Sequence, residues 1–156
     1  MKKFNVILII LLILSSKILA GEVAGIPTIS DGDTIKIFNK RIRFHGIDTP
    51  EKKQICYKNS KEYYCGKEAT VALKNKIGRK KVTCKVKDRL DKYSRYIGIC
   101  FIGKVNLNKW MVRNGYAVAY RRYSRDYIED ENYAKKNKLG LWSGSFIHPE
   151  KWRKLN

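Results

Sequence analysis

The sequence predicts an α+β fold, a small five-stranded β-barrel carrying about three peripheral helices. Two observations carry that prediction. Apolar residues alternate with polar ones along residues 23–47, the period-two pattern of strands with one buried face. Strands then continue with helices inserted between them, rather than in strict strand–helix alternation, which favours an antiparallel, curled sheet over a parallel one. No internal repeat, low-complexity tract or Pro/Gly-rich linker divides the chain, so one domain is expected over residues 21–156.

Each element has a local reason. Thr34-Ile35-Lys36-Ile37 alternates, Asn39-Lys40 offers a turn, and Arg41-Ile42-Arg43-Phe44 alternates again. Asp33 shares parity with Ile35 and Ile37, which puts its side chain at the end of their inward-facing row. A polar, cysteine-bearing loop is expected over residues 50–63. Ala69, Ala72, Leu73 and Ile77 are then spaced for one helical face, with Gly78 as the stop. Residues 81–86 read as a strand, Tyr96 to Phe101 as another, and the charged stretch Lys87 to Arg95 as the loop between them. Asn106 can cap a short helix with Leu107, Trp110 and Met111 on one face, ended by Gly115. Tyr116 to Tyr120 reads as a strand, and the last helix is expected from about Ser124 to Leu139, stopping at Gly140. A five-stranded barrel of the oligonucleotide-binding type, an OB-fold, fits this order.

Residues 1–20 read as a secretory signal peptide. Lys2 and Lys3 precede an unbroken apolar run from Val6 to Leu14, and Ala20-Gly21 offers small residues for cleavage. Nine apolar residues are too few to cross a bilayer comfortably, although Ile18, three places before the cut, leaves an uncleaved N-terminal anchor as the alternative. Glu22 stands where a lipid anchor would need cysteine. The expected location is secreted or periplasmic. The whole chain carries a formal charge of +20; Lys2, Lys3 and Lys17 lie in the leader, so residues 21–156 carry +17. A charge of that size points to a polyanionic partner, nucleic acid being the commonest. In an exported chain Cys56, Cys65, Cys84 and Cys100 are expected to form disulfides. Three pairings are possible. Sequence neighbours favour Cys56–Cys65 and Cys84–Cys100, and antiparallel pairing of the strands at 81–86 and 96–101 favours the second bridge further. A zinc site is disfavoured, because no pair has C-x-x-C spacing and His45 and His148 are distant.

Hydrolysing a phosphodiester requires a hard cation on the phosphate, a positioned and deprotonated water, and donors for the charge that builds on the phosphoryl oxygens. Asp31-Gly32-Asp33-Thr34 and Asp48-Thr49-Pro50-Glu51 supply carboxylates at strand ends, and Arg43 and Arg95 supply guanidiniums. Singly, each has a structural reading: Asp-Gly is a turn, Asp-Thr-Pro-Glu can open a helix, and both arginines can be solvated charges. Their combination and order carry the chemistry. His45, two residues from Arg43 in a strand, reads as a filling residue rather than a base.

Together, Ile29 to Thr34, Arg43 to Glu51, Asp91-Lys92-Tyr93-Ser94-Arg95, Val112 to Ala117 and Leu139 to Trp142 make the chain resemble the thermonuclease, or staphylococcal-nuclease-like, family over nearly all of residues 23–143. The resemblance implies one Ca²⁺ held by Asp33, Asp48 and the Thr49 carbonyl, an oxygen-only set that suits a hard ion. It implies that Glu51 acts on water and that Arg43 and Arg95 clamp the phosphate. It places Tyr93, Tyr120 and Tyr123 against the substrate, where aromatic faces accept any base. The implied activity is calcium-dependent hydrolysis of DNA and RNA with little sequence preference, leaving 3′-phosphates, by a monomer with no protein partner. The alternative is a catalytically inactive OB-fold nucleic-acid-binding protein, but such domains lose the acidic or arginine residues retained here. A basic membrane-surface protein would explain the lysines and not the paired acidic clusters.

Overall fold

Two strand meanders meet in one curled sheet. The computed structural model describes residues 21–156, so the expected signal peptide lies outside the described residues. The first meander comprises β2 (Thr28–Asp31), β3 (Thr34–Ile37) and β4 (Lys40–Phe44), with Phe38 and Asn39 forming the turn one residue earlier than expected. The second joins β1 (Gly21–Gly25), β8 (Val82–Leu90) and β9 (Tyr96–Ile102). Parallel pairing of β4 with β9, Arg43 opposite Ile97, stitches the halves into the order β1-β8-β9-β4-β3-β2. The short β10 (Val105–Asn106) pairs with β9, so the curled half-barrel of the expected α+β, OB-type fold is formed by seven strands, counting the short β10.

Inside, Ile35, Ile37, Ile42 and Phe44 meet Ala69, Leu73 and Ile77 of α1 (Cys65–Ile77) and Leu107, Met111 and Val112 of α2 (Leu107–Arg113). Helix α1 presents its apolar stripe at i, i+4, i+8 and stops at Gly78, whose φ is +57°. Asn106 caps α2, its side chain accepting the Lys109 N–H at 2.9 Å. Cys84 and Cys100 face each other in the β8–β9 register and are bonded.

The expected polar loop at 50–63 is instead largely a hairpin, β6 (Ile55–Lys58) and β7 (Lys61–Tyr64), turned by Asn59 and Ser60 with φ of 50° and 60°. Two consecutive left-handed residues match the twist of paired strands, and asparagine tolerates that region. The Cys56–Cys65 bridge fastens this hairpin to the start of α1. Strand β8 runs to Leu90 rather than to 86, because pairing resumes at Leu90 opposite Tyr96 after an irregularity; the charged loop shrinks to the turn at Asp91–Arg95. Only Val118–Ala119 of the expected strand at Tyr116–Tyr120 forms, as β11 pairing with β5 (Ile47–Asp48), since the Tyr116 and Ala117 N–H groups close the end of α2 on the Met111 carbonyl. Helix α3 spans Ile128–Lys136 and starts later than Ser124, whose hydroxyl accepts the Asp126 N–H in a local turn. A 3₁₀ turn at Gly140–Ser143 leads to a fourth helix, α4 (Pro149–Leu155), absent from the sequence reading. Among the described residues no helix is long and apolar enough to cross a membrane.

Candidate active site

The turn between β2 and β3 and the short β5 bring the two acidic segments into contact. Asp33 is buried at the end of the Ile35–Ile37 row, as its parity requires. Its Oδ1 accepts the Thr34 hydroxyl at 3.0 Å, and its Oδ2 accepts the Thr49 N–H at 3.1 Å. That last bond ties Asp48-Thr49 to the first acidic turn across sixteen residues. Asp48 lies on β5, only 1% exposed.

Arg43, on β4 opposite Thr34, bridges the pair. Its Nη1 meets Asp33 Oδ1 at 2.5 Å, and its Nη2 donates to Asp48 Oδ1 at 3.0 Å and to the Ile47 carbonyl at 3.3 Å. Burial pushes the Asp33 carboxyl up, but the Arg43 charge and the bonds from Thr49, Arg43 and Thr34 outweigh it and hold Asp33 below the usual carboxylate range. Asp48 goes the other way: burial raises it, helped by the Asp33 charge and only partly offset by its arginine partners. Two carboxylates taken out of water this close together demand cations.

Glu51 sits at the rim, two residues beyond Thr49, with its side chain 43% exposed. Arg95 reaches the same cluster from the β8–β9 turn, its Nη1 lying 3.5 Å from the Thr34 hydroxyl oxygen that in turn donates to Asp33. Asp91 holds it there: Oδ2 accepts Arg95 Nε at 2.9 Å and Nη2 at 2.8 Å, while Oδ1 accepts the Tyr93 and Arg95 backbone N–H groups. Burial pushes Asp91 up, and the bonds from Arg95 and Tyr93 more than reverse this. Tyr93 is exposed, with the Arg95 guanidinium 5.1 Å from its ring centre. Tyr120 and Tyr123 meet edge to face at 4.8 Å, and Tyr120 shares with Asp48 a cavity of about 370 Å³ lined also by Arg121, Arg122, Lys151 and Lys154. His45 stands apart from the carboxylates; burial and the Lys87 charge hold its imidazole below the ordinary value.

The sequence reading missed Arg153. Its Nη1 and Nη2 fork onto both oxygens of Asp48 at 3.0 and 2.8 Å, and Nη1 also reaches Glu51 Oε1 at 3.1 Å. Nothing local assigns it, for it lies 105 residues from Asp48 in the basic run Lys151 to Lys154, whose residues suit packing on the barrel or contact with nucleic acid equally well. Asp91 and Thr34 were missed as partners, although the Asp-x-x-x-Arg turn was in view.

Among the described residues no three His, Cys, Asp or Glu side chains converge as metal ligands. The donors on offer are the Asp33 and Asp48 carboxylates with neighbouring carbonyls, all oxygen, which fits a hard cation whose shell is completed by water. Each carboxylate retains a lone-pair direction on Oδ2 that no described donor fills.

A family model described as "Staphylococcal nuclease homologue" matches residues 41–144. The succinoglycan biosynthesis protein ExoI of Rhizobium meliloti (strain 1021) is 33% identical over 134 residues, covering 83% of this chain and 69% of that protein. An uncharacterized endonuclease of Haemophilus influenzae is 31% identical over 95% of this chain and 82% of its own. Another from Escherichia coli O157:H7 is 34% identical over 93% of this chain and 94% of its own.

Proposed function

The chain belongs to the staphylococcal nuclease homologue family, whose substrate is nucleic acid, and from that premise we propose that it is an exported, calcium-dependent phosphodiesterase that cuts DNA and RNA with little sequence preference. The observation that carries the proposal is the buried pair Asp33 and Asp48 sharing the single guanidinium of Arg43. Asp33, Asp48 and the Thr49 carbonyl would hold the ion. When bound, calcium would polarise the phosphate and lower the cost of bringing a nucleophile to it.

The chain's own residues do the rest. Glu51, at the rim and open to solvent, orients the attacking water and takes its proton. Water oxygen bonds to phosphorus, the bond from phosphorus to the 5′-oxygen breaks, and that oxygen leaves and takes a proton from solvent to become the 5′-hydroxyl, Glu51 returning its own proton to solvent, so the phosphate stays on the 3′ side. Arg43 and Arg95 retain N–H donors beyond those spent on Asp33, Asp48 and Asp91, and these meet the phosphoryl oxygens as charge builds. Their own carboxylate partners keep both forks rigid, which lowers the entropy lost on binding. Tyr93 and Tyr120 offer ring faces on which any base can stack, which supports tolerance of sequence. Export is supported by the paired cysteines and the expected signal peptide.

The test is incubation of the purified protein with plasmid and with RNA in Ca²⁺, in Mg²⁺ or in a chelator. Cleavage of both substrates in calcium, lost in chelator, with 3′-phosphate ends, is the expected result. Shifted but intact nucleic acid in calcium would establish a binding protein instead.

A further inference from the structure

The family match ends at residue 144, yet the C-terminal helix beyond it reaches into the candidate active site. We propose that Arg153 of α4 is a positioning residue for Glu51, tying the water-activating carboxylate to the Asp48 metal ligand through one guanidinium. The proposal rests on the nuclease reading above and adds a residue to it.

Three observations converge. Among the described residues, Arg153 is the one side chain that engages the Glu51 carboxylate. An exposed glutamate without a partner samples several rotamers, whereas a general base must hold its oxygen within hydrogen-bond reach of one water. Arg153 spends its fork on Asp48 and its remaining reach on Glu51, so the distance between the two carboxylates is fixed by a rigid planar group.

The helix is itself seated on the site. The β6–β7 hairpin pairs with residue 145, Tyr57 N–H to the Ser145 carbonyl and Ser145 N–H to the Tyr57 carbonyl, both at 2.9 Å. Gln54, fully buried three residues after Glu51, donates through Nε2 to the Ile147 carbonyl at 2.6 Å, and its Oε1 accepts the Glu51 N–H at 3.3 Å. Gln54 therefore links the backbone of Glu51 to the segment entering α4. Arg122 adds an ion pair to Glu150 at 3.3 Å. Backbone and side chain of Glu51 are thus held by the same C-terminal segment.

The experiment uses the full mature chain with Arg153→Gln and Arg153→Lys. Expected for glutamine is a fall in kcat of roughly ten- to a hundredfold at saturating calcium, the usual cost of losing a supporting partner. KM for nucleic acid should stay within about threefold, because substrate binding is not what the residue serves. Lysine, keeping the charge but not the fork, should recover an intermediate kcat. Calcium binding measured by calorimetry should be equal or tighter in the glutamine variant, since one positive charge leaves Asp48. Falling turnover with undiminished calcium affinity is a combination that a purely structural prop would not produce.

An unchanged or raised kcat would overturn the proposal and make α4 a restraint. A loss confined to KM would overturn it in favour of a phosphate contact, and joint loss of calcium binding and melting temperature would reduce Arg153 to a prop. Wild-type protein that neither binds calcium nor cuts would overturn the underlying nuclease reading and this inference with it.

Discussion

Asp31 and Glu51 are carboxylates with different partners around the site. Asp31 Oδ1 accepts the Asp33 N–H at 3.1 Å, which makes it the turn former of its cluster. Burial, then the Asp33 charge, raises its carboxyl from 3.8 to about 6. An acid whose folded value lies above its unfolded value binds protons more readily when folded, so its ionised form opposes folding above about pH 6 and the penalty vanishes as pH falls towards 4. In chelator, Asp31→Asn, which keeps the acceptor, should raise the melting temperature by roughly 2–6 °C at pH 8 and leave it unchanged at pH 4. A gain confined to pH 4 would contradict the sign. Glu51 lies at the rim, held by Arg153, and is the proposed water-activating group. Glu51→Gln should cut turnover by about 10²–10⁴-fold while nucleic acid still binds, as gel shift and initial rates would show; near-normal turnover would remove Glu51 from its role.

At the scale of elements, the site depends on how closely α1 approaches the acidic segment. A Cβ on Gly66 would lie 2.0 Å from the Glu51 carbonyl oxygen, so the first turn of the helix is pressed against the backbone that carries Glu51. Alanine would gain about 1 kcal/mol in helix propensity. Forced against backbone rather than a flexible side chain, it should nevertheless cost about 1–3 kcal/mol net in urea unfolding, and it should lower kcat by displacing Glu51. A more stable Gly66→Ala with full activity would show that α1 can slide. Most elements were legible locally: the alternation of 34–37 and 41–44, the α1 stripe and its glycine stop, and the Asn106 cap each depend on residues within one or two turns. The hairpin at 55–64 was not, because its strands are mostly exposed, present no alternating buried face, and only paired context shows that Asn59-Ser60 turns them. The start of α3 was misplaced because a serine hydroxyl serves a turn as readily as a helix cap.

For the whole molecule, the charge of +17 over residues 21–156 exceeds what the site alone uses. Arg121, Arg122, Lys151 and Lys154 line the cavity beside Asp48, extending positive potential beyond the clustered arginines. Binding of a catalytically silent Glu51→Gln protein to a duplex should therefore weaken by at least about tenfold between 50 and 200 mM salt, because each neutralised phosphate releases counterions. A salt-independent affinity in fluorescence anisotropy would mean that the surface charge takes no part.

The same scale separates two kinds of information in the chain. Asp33 could be placed from sequence because strand parity aligns it with Ile35 and Ile37, whereas Arg43, Asp48 and Thr49 were expected at the site from the resemblance carried by the motifs around them. Register within the β2–β4 meander sets Arg43 opposite Thr34, next to Asp33, and the Thr49 N–H bond to Asp33 brings in the segment only sixteen residues on. Arg153 followed a different logic. Its contact with Asp48 and Glu51 requires the Cys56–Cys65-fastened hairpin to capture Ser145, Gln54 to capture the Ile147 carbonyl, and α4 to turn inward from there. Each of these contacts joins segments some ninety residues apart, and no periodicity encodes a contact between two irregular segments. Only folding, by burying two carboxylates that need cations, selects that one arginine from among so many.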